Sequence, residues 1–288
     1  MTDHSPQRIR SALSWSVLGQ VIKQGGSVAI MVGLARLLSP NEFGLIAMVA
    51  VFGGLARLFV ELGLGSAIIR SKRLSAVQLS TIFWVNLASG LTMTLLFAAV
   101  SPWVAAYYGE PEVQPLTVWL GGAFTLNALS VVHRNLLIRD LEFRRLAWIE
   151  GASALGAGLV AIVLAWRGAG AYSLVAQQLA EPAMAAALLW LRPSFLPQVR
   201  VFSWRAIREQ LNFGGHLVGF SIVNYFARNA DDAVIGRYFG DGALGMYTRA
   251  YGLMLMPLRE VSGVVSRVMY PALAQLQDDH AEVRRLWI

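Results

Sequence analysis

Lys23, Arg57, Glu61 and Glu181 each stand near the middle of an apolar stretch long enough to cross a membrane. An ionised group at bilayer depth costs roughly 2.5 to 3.5 kcal/mol on insertion scales. Such groups persist where they face a bundle interior or a watery cavity. Several of them on several helices point to a polar path through a lipid-embedded body, the chemistry of a transporter. In the first stretch Ser16, Gln20, Lys23 and Ser27 follow at spacings of 4, 3 and 4, which is one helical face. A lysine there lines a cavity that accepts an anionic head group, pairs with an acid on a neighbouring helix, or snorkels.

The second stretch sets Gly53, Arg57, Glu61 and Gly65 at steps of four. Arg57 and Glu61 can pair within the helix, and the glycines allow close helix approach. In the sixth, Ser173, Gln177 and Glu181 share a face, and Pro182 frees a backbone carbonyl beside the carboxylate. Glu181 is the candidate for a proton or cation site, with Glu61 and Gln177 as cavity residues; a glutamate filling the bundle is the alternative. The seventh carries Arg228, Asp231 and Asp232, and the arginine can reach both acids at i+3 and i+4. The bland reading there is an ion-paired helix end. In the eighth, Arg249 is the ligand candidate, while Arg267 reads as a snorkelling anchor.

The elements that must position these residues are legible from composition. The chain has 288 residues, 56% hydrophobic and only 14% charged, with a mean hydropathy of +0.53. A soluble domain carries roughly 25% charged residues. The fold class expected is all-α, a polytopic transmembrane bundle. Eight spans are expected, at 12–38, 44–69, 80–101, 116–133, 146–166, 169–191, 211–235 and 243–271. The fourth is short and the last two are amphipathic. With no cysteine, disulfides and thiolate metal sites are excluded. His133 and His216 lack metal-ligand spacing, and no P-loop or dinucleotide loop occurs, so neither metal nor cofactor is expected. No basic patch interleaved with exposed aromatics suggests nucleic acid.

Fifteen bases fall at the N-terminus, the even-numbered connectors and the tail, against Arg36, Arg167 and Arg237 in the opposite connectors. The positive-inside rule then puts the N-terminus and the tail in the cytoplasm. A faint repeat runs at an offset of 201: Leu34 to Leu45, around Arg36 and Gly44, resembles Ile235 to Met246, around Arg237 and Gly245. Parallel repeats build some transporter folds. The expected organisation is a six-helix lobe at 1–191, a basic cytoplasmic connector at 192–210 and the first hairpin of a second lobe at 211–288. On this reading the chain stops where a ninth span would begin, as a truncated product would.

Several stretches carry a family resemblance: 34–44 (LARLLSPNEFG), 61–70 (ELGLGSAIIR), 141–150 (LEFRRLAWIE), 229–240 (NADDAVIGRYFG), 244–251 (LGMYTRAY) and 270–279 (YPALAQLQDD). In order and spacing they resemble Wzx-type polysaccharide flippases of the multidrug/oligosaccharidyl-lipid/polysaccharide superfamily, nearest the colanic-acid-exporter branch. The resemblance implies two six-helix lobes around a central cavity, rocker-type alternating access and a bacterial inner-membrane location. The implied cargo is undecaprenyl-diphosphate-linked oligosaccharide, with membrane lipids and the polysaccharide polymerase and export machinery as partners. It also implies that basic residues on helices one, two and eight meet the diphosphate, which falls on Lys23, Arg57 and Arg249.

Two rivals belong to other classes. A cation-coupled multidrug exporter would want a cavity dominated by acids and aromatics, whereas here bases match or outnumber acids at depth. A membrane glycosyltransferase or polymerase would need a large catalytic loop, and the longest connectors are under twenty residues. The expectation is therefore a non-enzymatic transporter.

Overall fold

The computed structural model describes residues 6–61, 65, 68–69, 74–198, 202–203, 223–225 and 227–255, with side chains masked at 6–18, 21–22, 55 and 57–61. All regular structure among them is helical. Six helices come first: α1 (Pro6–Leu37), α2 (Pro40–Glu61), α3 (Ala76–Tyr108), α4 (Val113–Arg139), α5 (Phe143–Trp166) and α6 (Ala171–Leu191). Residues 227–255 are also helical, and Gly240 at φ +81 divides them into α7 (227–239) and α8 (241–255). A left-handed φ suits a residue without Cβ.

Four helices, α3 to α6, are long and apolar enough to cross a membrane. With Trp103, Trp148, Trp166 and Leu95 each more than two-thirds exposed, their outer faces match hydrocarbon and its interfaces. The first six expected spans appear as helices, the second only in part, since 62–64 and 66–67 lie outside the described residues. The expected seventh and eighth, 211–235 and 243–271, lie partly outside the described residues.

Two expected boundaries are corrected. The third span was placed to end at Ser101, before Pro102, yet α3 runs through that proline to Tyr108. The Ser101 hydroxyl donates to the Ala98 carbonyl in that turn, 2.9 Å away. The fourth span is not short: α4 holds 27 residues. Its polar residues depress hydropathy, and several bond within the bundle, while Ser130 Oγ and His133 Nδ1 have no partner among the described residues. Asn127 donates to the Ala123 carbonyl and Asn135 to the Val131 carbonyl, both at 2.8 Å. Thr94 and Thr125 share a hydrogen bond of 2.8 Å between α3 and α4. Gly90 and Gly121 keep that seam tight: a Cβ on Gly90 would lie 2.8 Å from Ala128 Cβ.

Helix starts follow local chemistry. Ser39 precedes Pro40, a favoured first helical residue, and Glu42 closes a capping box. The Ser39 N–H donates to Glu42 Oε2 at 2.6 Å. Ser75 and Gln78 form the same box on α3.

The bundle has two unlike ends. The turn end holds the connectors at 38–40, 109–112, 167–170 and 240. The basic end holds 140–142, 192–198 and 202–203. One continuous apolar core fills the turn end, drawing on all six helices through residues such as Leu34, Met48, Val104, Leu116, Ala165 and Leu174, and on Leu244 of α8. At the basic end, two separate clusters form among the described residues, one around Ile82 and Val132 and one around Phe143 and Leu189.

Candidate functional site

Helix α5 sets the geometry at mid-depth. Its glycines let two helices approach it closely. A Cβ on Gly158 would collide with Ile30 of α1, and one on Gly156 with Met184 of α6. Small residues are what membrane helices use for such seams, because packing rather than water exclusion holds them together. With α1 and α6 both drawn onto α5, Lys23 Nζ lies 3.2 Å from Glu181 Oε1, and the two side chains are 28% and 41% exposed. The structure thus takes the paired alternative for Lys23. It joins the cation to the carboxylate that was singled out separately.

The neighbours sort themselves around this pair. Gln177, one turn before Glu181, is half-buried on the same face of α6. Ser173 leaves the site: it is fully buried and donates to the Gly170 carbonyl at 2.7 Å, tying the start of the helix. Arg57 and Glu61 lie on the helical backbone of α2, but their side chains fall outside the described residues, as Ser16 does.

Arg249 does not join Lys23. Its guanidinium lies over the Phe43 ring, in the first turns of α2 at the turn end. Lys23 stands roughly 20 Å of helical rise before that turn. Arg249 Nε and Nη2 are buried with no hydrogen-bond partner among the described residues. The arginine is therefore held by an aromatic face, a contact that favours a desolvated cation.

The repeat seen in sequence closes on itself at the turn end. A Cβ on Gly44 would fall on the Asp241 carbonyl, and one on Gly245 on the Pro40 carbonyl. Positions 44 and 245, and 40 and 241, each differ by 201. Gly242, the mate of Asn41 at the same offset, lies against it, with its ideal Cβ 2.9 Å from Asn41 Oδ1. If i meets j while the mate of j meets the mate of i, a local two-fold relates the copies. Further contacts extend the seam. The Tyr225 hydroxyl donates to the Val51 carbonyl, and the Arg237 guanidinium lies 5.7 Å from the centroid of the Tyr107 ring.

Arg228 pairs with neither acid of α7 among the described residues. Asp231 instead accepts from the Tyr247 hydroxyl of α8 at 2.5 Å. Sequence reasoning missed that link. It also missed the Arg134–Glu150 bridge of 2.7 Å between α4 and α5, which i,i+4 logic within one helix has no means of finding. No cluster of three or more metal-ligating side chains occurs among the described residues.

Comparison with known proteins matches the sequence to proteins of polysaccharide biosynthesis. The chain is 28% identical over 276 residues to the lipopolysaccharide biosynthesis protein WzxC of Escherichia coli (strain K12), covering 95% of this chain and 56% of that protein. It is 30% identical over 269 residues to the succinoglycan biosynthesis transport protein ExoT of Rhizobium meliloti (strain 1021), covering 93% and 54%. It is 28% identical over 232 residues to the teichuronic acid biosynthesis protein TuaB of Bacillus subtilis (strain 168), covering 80% and 48%. The chain therefore spans about half the length of the curated relatives it matches. No solved structure matches it. The helices and these relatives make it a multi-pass membrane protein. The family model described as "polysaccharide biosynthesis protein" matches residues 33–288, everything from the last turn of α1 onward, and the chain belongs to that family.

Proposed function

We propose that the chain acts in a flippase that moves undecaprenyl-diphosphate-linked oligosaccharide across the bacterial inner membrane. It works by alternating access, with its N-terminus in the cytoplasm. On this reading the six helices through Leu191 form one lobe, 192–210 a cytoplasmic connector and 211–288 the start of a second lobe. The observation that carries the reading is the Lys23–Glu181 pair. Ionised groups that remain part-exposed at mid-depth must open on water, because hydrocarbon would strip their hydration with nothing in return. A relative named as a transport protein supplies the process.

The pair suggests how cargo and driving ion would be linked. A diphosphate entering the cavity competes with Glu181 for the Lys23 ammonium. Lysine is a compact point charge on a flexible stem, so it can exchange one anion for another. The carboxylate released takes up a proton or a cation. The two-fold glycine seam closes the turn end, while among the described residues the apolar core at the basic end falls into two clusters. Both features support the reading of a carrier open to the side where lipid-linked sugars are made.

The test is polymer export by cells carrying the full-length gene, with membrane protein levels measured in parallel. Replacing Lys23, Arg57 or Arg249 by alanine should reduce export while protein levels hold. Losing one charge-assisted bond to phosphate is worth about 1.5–3 kcal/mol, or roughly ten- to a hundredfold in affinity. Intact export from all three variants would end the diphosphate-binding reading. Dye efflux in place of polymer export would move the protein to the multidrug class, and transfer of labelled sugar to the enzymes.

A further inference from the structure

A cavity of about 580 Å³ lies at the basic end between the start of α5 and the end of α6. Its lining includes Arg144, Arg145 and Arg192, with Glu142 as the acid and Trp148 and Leu191 on the apolar side. It is separate from the Lys23–Glu181 pair, which sits half a helix away near the middle of α6. We propose that this cavity binds the phosphodiester head group of an acidic membrane phospholipid, with its acyl chains running along Trp148 and Leu191.

Three observations point to that ligand. The first is charge: three guanidinium groups against one carboxylate leave a net +2 around a single cavity. The second is order. Arg145 is not a free snorkelling chain: it donates to the Arg192 carbonyl and lies 4.0 Å from Glu142 Oε2. These contacts hold a planar fork at the mouth of the cavity, a shape suited to phosphate oxygens. The third is depth. Trp148 is 69% exposed and Leu191 75%, at the ends of two helices long enough to span a bilayer. Apolar surface therefore continues from the cavity toward the hydrocarbon at the level of the head groups. Basic pockets between membrane helices on the cytoplasmic side bind such head groups.

The mode differs from cargo binding. Cargo must pass through the bundle and leave, whereas a head group held between α5 and α6 fixes the angle of α6, which carries Glu181, against α5, on which α1 and its Lys23 pack. The bound lipid would act as a wedge on the lobe.

Native mass spectrometry of the full chain, purified in detergent, reads this directly. Phosphatidylglycerol, phosphatidylcholine, a polyprenyl diphosphate and inorganic phosphate are added in separate arms. Phosphatidylglycerol should be retained in preference to phosphatidylcholine. The triple variant R144Q/R145Q/R192Q should lose that retention by roughly tenfold or more. A second triple variant, R36Q/R167Q/R237Q at the turn end, should keep it and so controls for loss of charge alone. Equal retention by wild type and the basic-end variant would overturn the proposal. So would preference for the polyprenyl diphosphate, which would assign the cavity to cargo, or displacement of lipid by millimolar phosphate. If the basic-end variant does not yield monodisperse protein, R144K/R145K/R192K replaces it. That variant keeps the charge but removes the planar forks, and unchanged retention there would overturn the guanidinium assignment.

Discussion

Lys23 and Glu181 meet at 3.2 Å although four helices lie between theirs in the chain. Each was legible alone, as an ionisable residue at mid-span. Their contact was not, because it depends on two glycines of α5 that admit the neighbours on either side. An ion pair with both partners this exposed contributes at most about 1 kcal/mol to stability. Breaking it should leave the protein in the membrane, so a change in export can be read as a change in function. The decisive variant is the exchange K23E/E181K. It restores a pair of the same composition but brings a carboxylate to the position where the cargo phosphate needs a cation. Export should fall in K23A and E181Q and should not return in the exchange, with protein levels near wild type throughout. Recovery in the exchange would make the pair a structural tie. Arg249 teaches the complementary lesson: its basicity was visible in sequence, but its place over Phe43 depends on how α8 lies against α2.

At the scale of elements, the offset of 201 was visible as two similar turns, but similarity along a chain does not say that the copies touch. Backbone-to-backbone approach at Gly44 and Gly245 explains why those positions carry no side chain. Contact this close is made or broken as a unit, which suits a gate. The chain has no cysteine, so a designed bridge would be the only one. An ideal Cβ on Gly242 lies 3.9 Å from Asn41 Cγ, one bond from the Asn41 Cβ, and disulfides span Cβ separations of about 3.5–4.5 Å. The variant N41C/G242C in the full-length protein should crosslink under mild oxidation and stop export, and reductant should restore it. Export that continues with the bridge formed would show that the turn end need not open. The end of α3 was misread at Pro102, and the length of α4 was misread because of polar residues. Thr125, Asn127 and Asn135 lower the hydropathy of α4 but bond to carbonyls and a hydroxyl inside the bundle, so the helix continues past them.

For the whole molecule, apolar length made the six first helices readable, and charge asymmetry made a direction readable. Neither revealed what the connector after α6 does. Expected as a basic loop, it lies in part against the bundle. The Gln198 N–H donates to Ser80 Oγ and the Ser203 N–H to Thr81 Oγ1, both at 3.1 Å, while His133 Nε2 meets the Phe195 carbonyl at 3.0 Å. Backbone donors of a loop carry no sequence signature, so this strap over α3 and α4 is visible only in three dimensions. It also ties the basic end into one layer, which sharpens the orientation argument. If the strap, the arginines around α5 and the connector before α3 share one aqueous face, they must all label from the same side. Single cysteines at Glu110 and Gly168, at the turn end, should react with a membrane-impermeant maleimide added outside intact spheroplasts. Single cysteines at Asp140 and Ser194 should react only after the membrane is opened. The opposite pattern would invert the molecule and move the closed glycine seam to the cytoplasmic side. Cargo would then meet a shut gate on the side where it is made, and the direction of transport proposed for this lobe would have to be abandoned.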